Sequence, residues 1–359
     1  MALTINTNIS SIIAQRSLNQ ATNSMNTSLE RMSTGYKINH AKDNAAGYSI
    51  ANSWETKLGS LDVAADNAAT GLDLLTTAEE TYSLLVSHLQ RVRDLTEQAA
   101  NGTYGSQSLK AIQSEISARL LEINRLSANS EFNGIKLMAY DMEDESKNKE
   151  VGITASGLNL QVGLYADSNS IINLEVDLFA KSNLSGLFGR MAGTEYKSVN
   201  NQGQTATETL NSLLKAAGAG DDGVTKLATV DGVEAFAAAC CGLVYTAASG
   251  SGSTAKPASF ALQADAQYGA KEMLKFLDSS IDDISSRITK IGAVQNRVQS
   301  AADALDVQSQ NLTSSLSTLR DTDISSESSA YIQQQILQQA SATLLSTANQ
   351  LPSIALNLI

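Results

Sequence analysis

From Ile281, steps of alternately three and four residues fall on Ile281, Ile284, Ile288, Ile291, Gln295, Val298, Ala302, Leu305, Ser309, Leu312, Leu316 and Leu319. Nine of these twelve positions are Ile, Val or Leu, so the period is 3.5 residues and the segment predicts a helix roughly 60 Å long at 1.5 Å per residue. A stripe with that period must be hidden against partner helices with a left-handed twist. The same spacing recurs at Leu58, Leu61, Ala65, Ala68, Leu72, Leu75, Glu79, Tyr82, Val86 and Leu89, predicting a second long helix from about Tyr48 to Ala100. Asn101-Gly102 supplies its stop, because both residues tolerate the left-handed conformation that ends helices. A third helix carries Leu109, Ile112, Ile116, Leu120 and Ile123 on one face and stops near Asn129. The three predict a helical rod whose last helix comes from the far end of the chain, so the N- and C-terminal parts must meet.

Beyond the rod, apolar residues repeat at Ile5, Ile9, Ile12, Leu18, Met25, Leu29 and Met32, and again at Ile332, Ile336, Leu337, Leu344, Leu345 and Leu351. Each segment is amphipathic and poor in charge, so the pair is marginal alone and better stabilised in an assembly. In the middle the period changes to two. Leu158-Asn-Leu160-Gln-Val162-Gly-Leu164 and Ile172-Asn-Leu174-Glu-Val176-Asp-Leu178, joined through Asp167-Ser-Asn-Ser, predict a hairpin, and Asn133-Gly134 predicts a tight one after the third helix. From Phe179 to Pro257 the pattern breaks into short helical stretches and Gly/Ser runs such as Ala248-Ser-Gly-Ser-Gly-Ser-Thr, which predicts an insertion. The fold class is mainly α: a long antiparallel helical rod and coiled coil pairing the two ends, with β-hairpins and a small central insertion domain. The expected domains are 1–44 with 320–359, 45–178 with 265–319, and 179–264.

Composition narrows the function. Net charge is −12, aromatic residues are 5% and charged residues 17%, so no concentrated basic field exists for nucleic acid. The longest apolar stretch, Ala235 to Tyr245 with Gly242 counted, has 11 residues against the roughly 20 that cross a bilayer. The terminal segments lack the Lys/Arg-rich face of membrane-surface helices, so neither nucleic acid nor membrane is expected as a partner. The start has no basic region before a hydrophobic core, and the chain is expected to be cytoplasmic or exported by another route than a signal peptide.

Catalytic parts are scarce. His40 and His88 open no His-Glu-x-x-His pattern, no Gly-Lys-Ser/Thr phosphate loop or Gly-x-Ser-x-Gly elbow occurs, and Asp221-Asp222 and Asp282-Asp283 read as solvated charge. Cys240 and Cys241 are adjacent, a spacing against a mutual disulfide and unlike a metal motif, and read as small apolar residues. No enzyme, metal or cofactor is expected.

Several blocks resemble one family, bacterial flagellin. They are Ile5-Asn-Thr-Asn-Ile9, Leu29-Glu-Arg-Met-Ser-Thr-Gly35, Ile38-Asn-His-Ala-Lys-Asp-Asn-Ala-Ala-Gly47, Gln90-Arg-Val-Arg-Asp-Leu95 to Ala100-Asn-Gly102, and Glu131-Phe-Asn-Gly134. From the other end come Gly292-Ala-Val-Gln-Asn-Arg297, Gln335-Ile-Leu-Gln-Gln-Ala340 and Ala348-Asn-Gln350. The resemblance covers about 1–178 and 265–359, while 179–264 matches nothing. It implies a filament subunit for swimming motility: terminal helices forming the inner tube, rod and hairpins the outer wall, and the insertion the exposed surface. It further implies export unfolded through the flagellar channel and location in the extracellular filament. The implied partners are copies of the chain, a secretion chaperone, and the filament cap and hook–filament junction proteins. The chaperone would hold the C-terminal segment, with Ile332, Ile336, Leu337 and Leu344 as helix-in-groove anchors. A hook-to-filament junction protein shares the terminal helical design, and an enzyme-bearing flagellin with a catalytic insertion is the alternative of another class.

The resemblance also implies a host partner, the vertebrate flagellin receptor, the fifth Toll-like receptor. Gln90, Arg91, Leu95 and Glu115 match its recognised motif, with Asp94 where the motif often has Glu. Arg91 is the expected charged contact and Glu115 completes the site from the next helix. Leu95 is expected as an exposed apolar neighbour, since it falls roughly 80° from the stripe of Leu85, Leu89, Val92 and Ala99 at 3.6 residues per turn.

Overall fold

The computed structural model describes residues 8–141, 153–154, 157–165, 167–189, 195–199, 205–209, 227, 230–246, 259–262 and 266–356. Ile5, Asp221-Asp222, Pro257 and the Gly/Ser run after Ala248 lie outside them. Contacts divide the chain into one unit of Met1–Val63 with Ala304–Ile359 and another of Ala64–Asp303.

The first unit holds α1 (Ile9–Thr34), the start of α2 (Ala45–Ala99), the end of α6 (Ala266–Arg320) and α7 (Ile324–Leu356). The Asn8 side chain caps α1 by accepting the Ser11 N–H at 3.1 Å, and Gly35, with φ 76°, ends it by donating to Arg31 O. α1 and α7 run antiparallel, as a ladder of side-chain bonds shows: Asn8 to Ala348 O, Ser11 to Asn349 and Gln338 to Thr22, at 2.7, 2.7 and 3.0 Å. Their seam is narrow, because the side chains α1 buries are Ala14, Ala21 and Ser28. The N- and C-terminal parts therefore do meet, through small residues.

In the second unit α2 packs with α3 (Ser106–Asn129) and α6 around one apolar cluster. One buried seam of α2 runs through Ala64, Ala68, Gly71, Leu75, Ala78, Tyr82, Leu85, Leu89, Val92, Thr96 and Ala99, an unbroken alternation of fours and threes, with Leu74 and Leu95 buried beside it. The sequence reading had every second position of this seam and placed the others one residue late: Leu72 and Val86 are half-buried flanks. The Glu79 carboxylate, on the same flank, accepts from Gln295 of α6 at 2.8 Å. α6 shows the same displacement. Its innermost positions, besides Ile284, Ile291 and Val298, include Ser280 and Arg287, while Ile281 and Ile288 lie on the half-buried flank.

Short β-pairs cover the helices. β1 (Glu131–Phe132) and β2 (Ile135–Lys136) turn through Asn133 (φ 48°) and Gly134 (φ 82°), the two positive φ values that a two-residue hairpin of matching twist requires. β3 (Leu158–Gln161) pairs antiparallel with β4 (Ile171–Leu174) in the register Leu158 to Leu174. The second strand is shorter than its alternation predicts: Val176–Phe179 forms a 3-10 turn that buries Leu178 and Phe179 together.

Parts of 179–264 share this core. α4 (Leu184–Gly189), capped by the Asn183 carboxamide, places Phe188 with its ring centroid 4.5 Å from that of Phe236 on α5 (Val230–Cys240). The remaining strands pair as β5 (Glu195–Val199) with β6 (Thr205–Thr209) and β7 (Leu243–Thr246) with β8 (Ser259–Leu262). Cys240 and Cys241 are buried free thiols. Burial pushes Cys240 up to about 12, and Cys241 also upward.

Candidate recognition and assembly surfaces

Two groups of residues singled out by the sequence lie on helices that fix their geometry. On α2, Gln90 and Arg91 are exposed. The Arg91 guanidinium donates from Nε and Nη2 to one oxygen of Glu115 on α3, at 2.9 and 2.8 Å. The pair arises because α2 and α3 are antiparallel across the Ala100–Gly105 turn. Thr81 and Ser130 face each other near the far end of α3, and Arg91 and Glu115 nearer the turn. Both side chains keep wide access to water, so the pair contributes little to stability, of the order of 0–1 kcal/mol. Its charges are available to a ligand.

Leu95 does not belong to this surface. It is 2% exposed and part of the apolar cluster that also contains Leu109 and Ile112. A single seam would have left it outside. α2 instead has two covered flanks, one toward α6 through Glu79 and Arg93, which pairs with Asp278 at 2.5 Å, and one toward α3 through Thr81. Leu74, Thr81, His88 and Leu95, spaced by sevens, lie on the α3 side, where the two leucines are fully buried. The expected exposed apolar neighbour of Arg91 is thus a core residue. The signal was present: a helix with two helical partners needs a stripe wider than one seam.

The second group lies on α7. Ile332, Ile336, Leu337 and Leu344 are all exposed, Ile336 and Leu344 by 61% and 62%. α1 adds Ile9, Ile12, Ile13 and Leu29, also exposed. The antiparallel pair hides alanine and serine and presents isoleucine and leucine, the reverse of an independently stable helical hairpin. Among the described residues no helix is long and apolar enough to cross a membrane.

Sequence reasoning missed a polar cluster in the second unit. Arg287, 1% exposed, donates through Nη1 to Ala180 O (3.1 Å) and Ser182 Oγ (2.9 Å) and through Nη2 to Asp283 (2.7 Å). Ser182 also contacts the buried Tyr82 hydroxyl at 3.3 Å, which donates to Leu178 O at 2.9 Å. Burial raises the Tyr82 pKa against the opposing field of Arg287. The cluster closes the irregular 178–182 segment onto α2 and α6 by satisfying its carbonyls, which is structural chemistry.

A chain whose two ends pair as helices with their large apolar side chains outward is built as a subunit of a larger assembly. Comparison with known proteins says which. Residues 5–141 match the bacterial flagellin N-terminal helical region and 274–359 the bacterial flagellin C-terminal helical region, together more than half the chain. Flagellin D of Vibrio anguillarum is 33% identical, polar flagellin F of Vibrio parahaemolyticus 32% and flagellin B of Vibrio cholerae 32%, each aligned over 100% of both chains. The chain belongs to the bacterial flagellin family. It is a structural protein of the motility apparatus, a subunit that polymerises into the flagellar filament.

Proposed function

We propose that the α1–α7 pair serves the subunit twice: as the surface held by a secretion chaperone before export, and as the inner tube of the filament afterwards. The observation that carries this reading is the outward placement of Ile332, Ile336, Leu337 and Leu344 on α7. Four exposed branched side chains on one helix suit a hydrophobic groove, and the same side chains need cover from neighbouring copies once the chain has left the cell. Export of the unfolded chain through the flagellar channel and folding at the filament tip under the cap, beyond the hook–filament junction proteins, complete the route to an extracellular location. The thin α1–α7 seam supports that route, since a pair held mainly by alanine and serine is readily opened. The exposed surface of the subunit is assigned to 179–264 outside the stretches of that segment, such as those around Phe188 and Phe236, that share the apolar cluster, with a helical part at 45–178 and 265–319 and a terminal pair at 1–44 and 320–359.

The test is capture of the full chain by the flagellar secretion chaperone of its own cell. Ile336→Asp with Leu344→Asp is expected to abolish capture, whereas Ser329→Asp on the same helix leaves it intact. Equal capture of both variants refutes the anchor assignment.

The exposed Arg91–Glu115 pair supports a second role, recognition of the monomer by the fifth Toll-like receptor. Arg91 and Gln90 supply the polar contacts, Glu115 orients the guanidinium, and Leu95 acts from beneath by fixing the helix.

A further inference from the structure

Four helices are interrupted at one level of the first unit. α1 stops at Thr34 and α2 begins at Ala45, while α6 stops at Arg320 and α7 begins at Ile324. The two breaks are joined by main chain: the Lys37 N–H donates to Arg320 O at 2.6 Å, the Thr322 N–H donates to Gly35 O at 2.9 Å, and Tyr36 faces Asp321 in an isolated antiparallel bridge. So short a ladder frays in water, because each such bond contributes only about 1 kcal/mol net.

Side chains close over it. The Arg320 guanidinium carbon stands 4.2 Å from the centroid of the Tyr36 ring, and its Nη1 donates to Glu55 of α2 at 2.7 Å. Arg320 is thereby held between a ring face and a carboxylate, and it is largely buried. Its Nε is buried without a hydrogen-bond acceptor, and the ring face of Tyr36 supplies the contact on that side of the guanidinium. Arg31 and Glu327, 3.8 Å apart, add a weaker tie between α1 and α7 just beyond the joint. The α1–α7 pair itself buries little apolar surface, so its placement is decided at its base.

We propose that Tyr36 and Arg320 are positioning residues for polymerisation: their stack clasps the 35–37 break to the 320–322 break and holds α1 and α7 together in the arrangement that neighbouring subunits engage. This rests on the filament-subunit function. The planar guanidinium is the specific requirement. Lysine retains the charge opposite Glu55 but loses the flat stacking face, while phenylalanine in place of Tyr36 retains the ring.

The test uses the full-length chain with two readouts, elongation of filament fragments and hydrogen exchange at the Lys37 and Thr322 amides. Tyr36→Leu and Arg320→Lys are each expected to speed exchange at both amides about fivefold, or about 1 kcal/mol at 1.4 kcal/mol per tenfold, and to slow elongation comparably. Tyr36→Phe is expected to match the wild type in both, and the Tyr36→Leu/Arg320→Lys double variant to be no worse than the single ones. Wild-type behaviour of Tyr36→Leu in both readouts, additive effects in the double variant, or equal damage from Tyr36→Phe overturns the clasp. A wild-type chain that elongates no filament contradicts the subunit function, while amide exchange still decides the clasp.

Discussion

Arg287 shows how a charged residue comes to occupy a core position. It falls on the buried heptad of α6, where an aliphatic side chain is the default, because the irregular segment packed against it presents the Ala180 carbonyl and the Ser182 hydroxyl. Removing the guanidinium leaves these groups buried without their donor, so Arg287→Ala is expected to lower unfolding free energy by about 3 kcal/mol. Tyr82→Phe, which frees the Leu178 carbonyl, should cost about 1 kcal/mol. Denaturant titration of both and of the double variant should give less than the sum, since Ser182 connects them. Sequence periodicity chose Ile288 over Arg287 because it ranks residues by hydrophobicity and does not see loop carbonyls. Leu95 is the opposite case, an apolar residue placed outside and found inside. Leu95→Ala is therefore expected to destabilise the fold by about 2–4 kcal/mol, whereas Arg91→Ala leaves thermal unfolding nearly unchanged and cuts monomer signalling through the Toll-like receptor at least tenfold. Unimpaired signalling by Arg91→Ala would leave the pair as an ordinary surface contact. Cys240 adds a pH dependence. Its folded pKa, about 12, lies above the ordinary value of 9.0, so its contribution is complete below pH 9 and is lost as pH rises through about 12. Tyr82 is shifted in the same sense. Stability should fall on the alkaline side by up to about 1.4 kcal/mol per pH unit for each such group, and Cys240→Ala should flatten that limb.

At the level of elements, the sequence located α2 and the end of α3 to within a few residues because their period is long, repeated and punctuated by caps, but it began α6 at Ile281, 15 residues after its first residue, Ala266. It misjudged register by one residue because α2 and α6 each carry a flank of large apolar residues beside a seam that includes small or polar ones. Gly71 illustrates the reason: a Cβ there would come within 2.6 Å of the Leu160 side chain on β3, so the seam needs a residue that hydrophobic ranking discounts. The hairpins were legible through Asn133-Gly134 and the alternation around Leu158, but the termination of β4 was not, since the 3-10 turn that follows keeps Val176 and Leu178 apolar. Gly157 is the position on which the second hairpin depends most. It has φ 89°, and a Cβ would fall 1.9 Å from the Leu174 carbonyl oxygen, a backbone atom that cannot move without opening the β3–β4 pair. Gly157→Ala is expected to cost about 2–3 kcal/mol. Hydrogen exchange should show the loss at Leu158–Gln161 before it reaches α3. The loop after α1 is ordered differently: the Asp43 carboxylate accepts the Asn39 and His40 N–H groups at 3.2 and 2.9 Å, and the His40 bond chiefly holds its pKa low.

For the whole molecule, the division of labour between core and ends explains why the function could be read at all. The second unit buries large residues such as Tyr82, Leu89, Ile116 and Phe236, whereas α1 and α7 expose Ile9, Ile12, Ile336 and Leu344, and a sequence records that contrast as amphipathic segments without an internal partner large enough to cover them. The sequence could not record how the middle joins the core, because Phe188, Phe236 and Cys240 meet the helices through contacts far apart in the chain. The contrast makes a definite prediction. Deleting residues 321–359 removes α7 and with it the cover over Ala14, Ala21 and Ser28, small side chains whose exposure costs little. It leaves the buried cluster of the second unit intact. The truncated chain should remain a helical monomer that unfolds cooperatively with the denaturant midpoint of the full-length protein, and it should form no filaments when seeded. A truncated chain that polymerises normally would place the subunit contacts outside the terminal pair. One that loses its helical core would mean that the ends stabilise the second unit, against the separation of the two sets of apolar residues.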